Sequence, residues 1–558
     1  MIIKFDRSPE EFYRLSRTAF EEGALERALS YSEKALRGKG STEYKVSLAE
    51  IFLSMERYYE AMDVALDALC HGKGLRSEIY DVMIRALSET GRIYESVYYV
   101  TRKARLEGDD EALDAMDEMM EDWMNEGTEL PAEEGLFLVG EKKKTAPYDL
   151  AQAAMHLHHG NYDEATQLLR GIDPGSKQYD DAQKMMLRAL ARSGDEKGAL
   201  RVAEEIATRD PKYAFALYYL IVKGGKTEFL PLLSEVEDDR QDLYFAVAAA
   251  DHARAYDLSE RLAGRLLGAE PYSPEAHFVF AAALKNAGKR AASEDCLKRL
   301  FSLYSSYPAE VILKGWARLK KASVMFSDAM PEEVVRILRR YVRKGASDSS
   351  LFVKSLLTDE AFRSAVTLLF EYGDDEVCDN LLRFLGMESN KQVDAFFSGL
   401  LLRTRVEPLL KKSIATQLLT RKHKGKLRIA PAGIPVGISC EKPPHYELYP
   451  ETLRYAFLNT YTFTQCLNDA HAARRIAEFC EVLWVYVGAK KSRVRSESLT
   501  AALVLRLFAE GELRPFVEGA VPEKACARLM EEIFDVREVR FSEVHKWLNV
   551  LSEHLGVR

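Results

Sequence analysis

The chain has 558 residues, of which 47% are hydrophobic and 30% are charged, and its formal net charge at pH 7 is −9. A chain of this length is too long for one compact core, and no apolar run reaches the roughly 18 residues that a membrane span requires. The first residues lack the apolar core of a signal peptide, and the seven scattered cysteines include no CxxC pair. We therefore expect a cytoplasmic protein without a disulfide framework or a zinc ribbon.

Glycines recur along the N-terminal part of the chain at nearly constant intervals. Each stands five residues before a small residue, and the one gap in the series is filled by Glu56, five residues before Ala61. The intervals between these six positions are 33, 35, 36, 33 and 34 residues. A fixed period of this length predicts a stacked array of similar helical units. The glycines of the series are Gly23, Gly91, Gly127, Gly160 and Gly194.

One unit of the array shows why these residue types recur. In residues 12–36, apolar or small residues follow each other at spacings of three and four on two successive segments, which predicts two amphipathic helices. Gly23 separates the segments, and glycine adopts the left-handed backbone that ends a helix and turns the chain back. Because two antiparallel helices cross closely, small side chains such as Ser16 and Ala28 are expected at the crossing.

Residues 9–222 resemble tetratricopeptide repeats. The resemblance rests on the period, the turn glycines, the small residues on both helices and the closing Asp210–Pro211. It departs from the family where Lys45 replaces an aromatic residue of the first helix, and where a closing proline is found only at Pro211 and Pro174. The resemblance implies an all-α superhelix of helical hairpins, an α-solenoid. An array of another helical repeat class is the alternative, and it would keep a concave surface lined by neighbouring units.

The resemblance also implies where a partner would bind. In a tetratricopeptide stack, the first helix of each repeat lines the concave surface, and a peptide or helix of a partner protein lies against it. The candidate partner-binding residues are Tyr13, Tyr44, Lys45, Tyr80 and Arg85. For Tyr13 and Tyr44, packing between neighbouring repeats is the alternative.

Residues 223–402 keep a helical pattern with a looser spacing. A pair of helices is predicted at residues 275–286 and 290–304, hinged at Gly288, and further helices are predicted at residues 332–343, 362–372 and 375–385. We interpret this part as degenerate repeats or a helical connector.

Charge is unevenly distributed along the sequence. Residues 400–558 contain 25 Lys and Arg against 18 Asp and Glu, a net charge of +7, so the preceding residues carry −16. Residues 107–134 contain thirteen acidic residues, no basic residue, and several methionines and a tryptophan. This acidic segment either docks a basic partner, since methionine surfaces adapt to varied ligands, or is a solvated helix whose Met and Trp side chains face the next repeat.

A third region, residues 403–558, begins with a change of composition. A basic run at residues 420–428 leads into a Pro- and Gly-rich stretch at residues 427–450, which excludes helix. Residues 427–429 and 436–438 are predicted to pair as a short β-hairpin. The basic run either contacts phosphate groups or forms a solvated edge that discourages aggregation of the hairpin.

The remaining C-terminal residues are predicted to be helical. They weakly resemble cyclin-like and helix-turn-helix modules, with helices at residues 522–534 and 541–551 around a turn. A helix that reads DNA needs suitable side chains in its exposed first turns. The candidate nucleic-acid-binding residues are Lys490, Lys491, Arg493, Arg495 and Lys546. A degenerate module used for packing or dimerisation is the alternative.

The sequence contains no recognisable catalytic motif. Residues 224–227 read Gly-Gly-Lys-Thr, but Leu220 stands where a phosphate-binding loop has its first glycine, and a helical pattern precedes them in place of a strand. We expect no enzyme activity, no cofactor and no metal site. The sequence favours a scaffold or adaptor that binds a protein partner through the array. A regulator that couples a sensor array to a nucleic-acid-binding C-terminal module is the alternative.

Overall fold

The computed structural model describes residues 8–37, 41–113, 146–158, 160–324, 330–387, 390–420, 426–431, 433–438, 442–466, 470–489, 495–509 and 541–555. The described helices of the first half are α1 Pro9–Glu21, α2 Leu25–Leu36, α3 Thr42–Ser54, α4 Tyr58–His71, α5 Arg76–Glu89, α6 Ile93–Glu107, α7 Ala146–His158, α8 Tyr162–Arg170, α9 Tyr179–Ser193, α10 Glu196–Arg209, α11 Ala214–Val222, α12 Arg240–His252 and α13 Tyr256–Ala269. Those of the second half are α14 Pro274–Asn286, α15 Arg290–Leu303, α16 Ala309–Ala317, α17 Glu332–Gly345, α18 Ser349–Thr358, α19 Glu360–Glu371, α20 Asp375–Met387, α21 Lys391–Leu400, α22 Pro408–Thr420, α23 Glu451–Cys466, α24 Ala470–Ala489, α25 Ser496–Ala509 and α26 Phe541–Leu555. The predicted all-α architecture is confirmed.

The helices of the first half pair as antiparallel hairpins, and a left-handed residue ends the first helix of each pair. The backbone angle φ is +73° at Gly23, +70° at Gly91, +75° at Gly160 and +85° at Gly194. Glu56, which fills the gap in the glycine series, has φ of +56° and therefore takes the same conformation without being glycine. The turn predicted from the period is confirmed at each of these positions. Gly127 lies outside the described residues.

The backbone hydrogen bonds explain why the left-handed residue is needed. At the first turn, Gly23 N–H donates to the Phe20 carbonyl and Ala24 N–H donates to the Ala19 carbonyl, at 2.9 and 2.8 Å. This pair of bonds is a Schellman motif, which satisfies the last carbonyls of a helix and reverses the chain. The same two bonds recur around Glu56, Gly91, Gly160, Arg254 and Gly288.

Small residues lie where the two helices of a hairpin cross. Ala28, Ala61, Ala165 and Ala199, each five residues after the turn position, have no exposed surface. In the first hairpin, the Ser16 hydroxyl donates to the Ala28 carbonyl at 2.8 Å, so the backbones approach within one side-chain hydrogen bond. The predicted architecture of helical hairpins is thus confirmed for the described part of the array.

The same hairpin geometry continues beyond the regular period. After α11, a 3₁₀ helix at Thr227–Glu235 stands in the place of a second helix. The pairs α12–α13 and α14–α15 then follow, with left-handed turns at Arg254 (φ +61°) and Gly288 (φ +83°). The helices predicted at residues 275–286, 290–304, 332–343, 362–372 and 375–385 correspond to α14, α15, α17, α19 and α20.

The C-terminal region combines the predicted β-hairpin with helices. Strands β1 (Leu427–Ile429) and β2 (Val436–Ile438) pair antiparallel, with Leu427 opposite Ile438. Helix α22 packs on α23, which contacts β2, α24 and α25, and α26 closes the group against α24 and α25. Of the predicted helix-turn-helix pair, the helix at residues 541–551 corresponds to α26, while residues 522–534 lie outside the described part of the chain.

Candidate partner-binding cleft

The second hairpin of the array packs against a distant part of the chain through an arginine. Arg57, which follows the left-handed turn, lies between two aromatic rings, with its guanidinium carbon 4.4 Å from the centroid of Phe52 and 3.7 Å from that of Tyr304. It donates to the Leu303 carbonyl at 2.9 Å and forms an ion pair with Glu60 at 3.3 Å. Because only 6% of this side chain is exposed, the contact fixes the start of α4 to the end of α15.

A second set of contacts fixes the middle of α4. Asp63 accepts hydrogen bonds from the backbone N–H and the hydroxyl of Thr404, at 2.7 and 2.8 Å, and pairs with Arg403 at 3.0 Å. Arg403 also lies 3.8 Å from Glu371, the last residue of α19. Burial raises the pKa of Glu371 to about 7, against the opposing charge of Arg403. The segment between α21 and α22 is thus held on α4 by charged groups.

Two further contacts extend this junction along the array. The Arg405 guanidinium carbon lies 4.3 Å from the ring centroid of Tyr59 and 5.6 Å from that of Tyr372. In the third hairpin, the buried Tyr99 hydroxyl donates to the Gly433 carbonyl at 2.7 Å, in the turn between β1 and β2. The first hairpins are therefore packed against the segments around residues 303, 371, 403 and 433.

A cleft of about 1,010 Å³ remains open beside these contacts, and we call it the junction cleft. It lies between α2, α3 and α4 on one side and α19, α21 and β1 on the other. One part of its wall is apolar, formed by Leu36, Leu48, Val64, Phe396, Leu400, Leu402 and Leu427. The charged and titratable part is formed by Lys45, Asp63, Asp67, His71, Arg403, Lys426 and Arg428.

The two carboxylates of the junction cleft are engaged by neighbours. Asp63 is bonded by Arg403 and Thr404, as described above. Asp67 pairs with Lys45 at 2.5 Å and with His71 at 2.9 Å. Burial alone would raise the pKa of Asp67, but the hydrogen bonds and charges of Lys45 and His71 hold that pKa below its ordinary value. Asp67 therefore stays ionised at neutral pH.

Two basic side chains of the cleft differ from Lys45 and Arg403. Lys426 immediately precedes β1 and Arg428 lies within it, and both side chains are exposed. Neither forms an ion pair with a carboxylate among the described residues. The guanidinium of Arg428 lies near Cys70, whose pKa is raised by burial and lowered in part by that charge. The cleft thus carries two positive charges beyond those that its own carboxylates balance.

The five predicted partner-binding residues lie on the first helices of the first three hairpins, α1, α3 and α5. Tyr13 and Tyr44 stack on each other between α1 and α3, with ring centroids 4.6 Å apart, while Lys45 lines the junction cleft. Tyr80 is buried on α5, with its ring centroid 5.7 Å from that of Tyr99, and Arg85 is exposed on the same helix. Of this set, Lys45 alone lines the cleft.

The predicted nucleic-acid-binding residues are only partly described. Lys490, Lys491 and Arg493 lie outside the described residues. Arg495 is exposed just before α25, and Lys546 is exposed on α26, where its amine lies 5.1 Å from the ring centroid of Trp547. The acidic segment at residues 107–134 is described only as far as residue 113.

The described residues also bear on metal binding and on membrane insertion. That part of the chain contains no group of three or more His, Cys, Asp or Glu side chains arranged to hold a metal ion. It also contains no helix with the length and apolar character needed to cross a membrane.

The repeat period does not predict most residues of the junction cleft. Asp63, Asp67 and His71 recur every four residues on α4, a stripe that the sequence does display. From the sequence alone, this stripe indicates a solvated helix face, because the repeat period does not predict that residues 395–428 lie opposite it.

No known protein family matches the chain in sequence, and a comparison with curated proteins finds no similar sequence. Among solved structures, that of yeast Tom70 is 12% identical, with a TM-score of 0.26, over 92% of this chain and 98% of the other. The structure of the APC/C hetero-tetramer Cut9-Hcn1 is 13% identical, with a TM-score of 0.25, over 85% and 96%. The structure of Naa15/Naa10 bound to HypK-THB is 11% identical, with a TM-score of 0.18, over 98% and 78%. These TM-scores are low, so the description of the fold rests on the helical hairpins of this chain itself.

Proposed function

We propose that this protein is a non-enzymatic scaffold that binds a segment of a partner protein in the junction cleft. The observation that carries the proposal is the cleft itself, a concave space of about 1,010 Å³ with an apolar wall and a charged wall. Binding sites are typically concave, largely apolar and provided with a few polar groups that fix orientation. The volume lies at the upper end of the range for small-molecule pockets, roughly 300–1,000 Å³, and so favours a chain segment.

The way the cleft is built also supports a binding role. Its two sides come from elements about 340 residues apart in sequence, as the pairing of Arg403 with Asp63 shows. Arg403 and Arg405 hold those sides together, since Arg403 lies between Asp63 and Glu371 and Arg405 lies between the rings of Tyr59 and Tyr372. A cleft with fixed walls binds with a smaller loss of conformational entropy than one that forms on binding.

Site-specific photo-crosslinking on the full chain tests the proposal. A photoreactive amino acid replaces Ala395, an exposed residue that lines the cleft, and, in a matched control, Glu205, an exposed residue of α10 outside it. We expect a partner protein to be captured from the Ala395 position and not from the Glu205 position. Equal capture from both positions, or capture from Glu205 alone, would contradict a binding site in the cleft.

A further inference from the structure

The charge balance of the junction cleft indicates what kind of segment it accepts. Lys45 and Arg403 are neutralised by Asp67 and Asp63 within the cleft, at 2.5 and 3.0 Å. Lys426 and Arg428 have no carboxylate partner among the described residues, although the chain as a whole carries a net charge of −9. The positive surplus therefore lies at β1, at the end of the basic run at residues 420–428, in a chain that is acidic as a whole.

The position of the surplus relative to the apolar wall is equally informative. Lys426 and Arg428 stand on either side of Leu427 in the chain and are exposed, whereas Leu427 itself is buried. The half-buried Phe396 and Leu402 lie on the same side of the cleft as β1, on α21 and just after it, and the half-buried Val64 lies opposite on α4. A ligand that fills the cleft thus meets apolar side chains and two cations, which demands both apolar and anionic groups in one molecule.

We propose that the junction cleft selects an acidic, partly apolar peptide segment of the partner, an inference that rests on the proposed function. The acidic groups pair with Lys426 and Arg428, and the apolar side chains pack on the half-buried Val64, Phe396 and Leu402. Nucleic acid is disfavoured because Asp63 and Asp67 lie in the same cleft, whereas grooves that track a phosphate backbone are positively charged and carry aromatic side chains on which bases stack.

Fluorescence anisotropy on the full chain tests this selectivity. The probes are short labelled peptides of alternating Leu and Glu, of Leu and Gln, and of Leu and Lys. We expect the Leu–Glu peptide to bind most tightly and its binding to weaken with ionic strength, since exposed charge pairs are screened by salt. The double variant Lys426→Glu and Arg428→Glu should weaken this binding about tenfold or more, and Lys426→Gln with Arg428→Gln should weaken it less.

A matched control changes the same number of charges elsewhere. Lys197→Glu with Arg201→Glu alters two exposed residues of α10 outside the cleft and should leave the binding of the Leu–Glu peptide within about twofold. Thermal melts of each variant establish that the chain remains folded. Failure of the Leu–Glu peptide to bind, equal binding of the Leu–Lys peptide, equal loss in the control, or displacement of the peptide by duplex DNA overturns the inference. If photo-crosslinking at Ala395 still captures a partner in that case, the selectivity fails and the proposed function stands.

Discussion

Replacing Glu56 with glycine should stabilise the protein, although it removes a side chain and adds no contact. Glu56 has φ of +56° and ends α3 in the position that glycine occupies in the neighbouring hairpins. Its side chain is exposed. Glu56 N–H donates to the Leu53 carbonyl at 3.1 Å and Arg57 N–H donates to the Phe52 carbonyl at 2.8 Å, so the backbone cannot leave the left-handed conformation without losing the turn.

The size of the effect follows from two contributions that favour glycine and one that opposes it. The left-handed conformation costs a residue with a Cβ roughly 1–2 kcal/mol, whereas glycine loses about 0.5–1 kcal/mol more backbone entropy on folding. An acidic side chain at the carboxyl end of a helix is also unfavourable by about 0.3 kcal/mol or more. Together these give an increase in the free energy of unfolding of about 1 kcal/mol for Glu56→Gly.

Urea unfolding and amide hydrogen exchange of α3 and α4 measure this change. The matched control is Glu89→Gly, an exposed glutamate at the end of α5 with helical backbone, which should lower the free energy of unfolding by about 0.5–1 kcal/mol. Arg254→Gly, at φ of +61°, should behave like Glu56→Gly. The reasoning is refuted if Glu56→Gly lowers the stability as much as Glu89→Gly does.

Three further predictions concern the helix crossing at Ala199, the ionisation of Glu371 and the contact of Arg57 with α15. Ala199→Leu should lower the free energy of unfolding by about 1–3 kcal/mol, because Ala199 has no exposed surface at its helix crossing, and Glu205→Leu on the same helix should change it little; equal melting temperatures would contradict the crossing. The pKa of Glu371 is raised from 4.5 to about 7 in the folded protein, so between these pH values Glu371 ionises only in the unfolded chain. As the pH rises from about 4.5 to 7, the free energy of unfolding should therefore fall by up to about 3 kcal/mol. Glu371→Gln should flatten this part of the pH profile, and an unchanged profile would exclude Glu371 as its source. Arg57→Ala should cost about 2–4 kcal/mol through its lost ring contacts and hydrogen bonds, with faster amide exchange at residues 299–305; Arg57→Lys should recover only part, because lysine lacks the planar group.

The local structure of the array could be predicted from the sequence because it depends on residues close together in the chain. A glycine at a left-handed turn and an alanine five residues later, as at Gly194 and Ala199, mark the turn and the helix crossing of one hairpin. The β-hairpin at residues 427–438 was predictable for the same reason, since Pro and Gly exclude helix and the two strands are neighbours in sequence.

The junction cleft could not be predicted, because its contacts join residues hundreds of positions apart. The sequence assigned Lys45 to a concave surface, but it did not indicate that Arg403 would pair with Asp63 or that β1 would face α4. Arg57 illustrates the difficulty, since an arginine after a helix turn is expected to be solvated and here has 6% of its side chain exposed. Long-range closure of this kind depends on the accumulated superhelical path of many hairpins.

Hydrogen exchange of the full chain with and without its crosslinked partner tests the central claim most directly. If the partner lies in the junction cleft, amide protection must increase together in α4 (Tyr58–His71), in α21 (Lys391–Leu400) and in β1 (Leu427–Ile429). These elements form the opposite sides of the cleft, so a bound segment contacts all of them at once. Protection confined to α9 and α10 or to α26, with α4 and α21 unchanged, would contradict it.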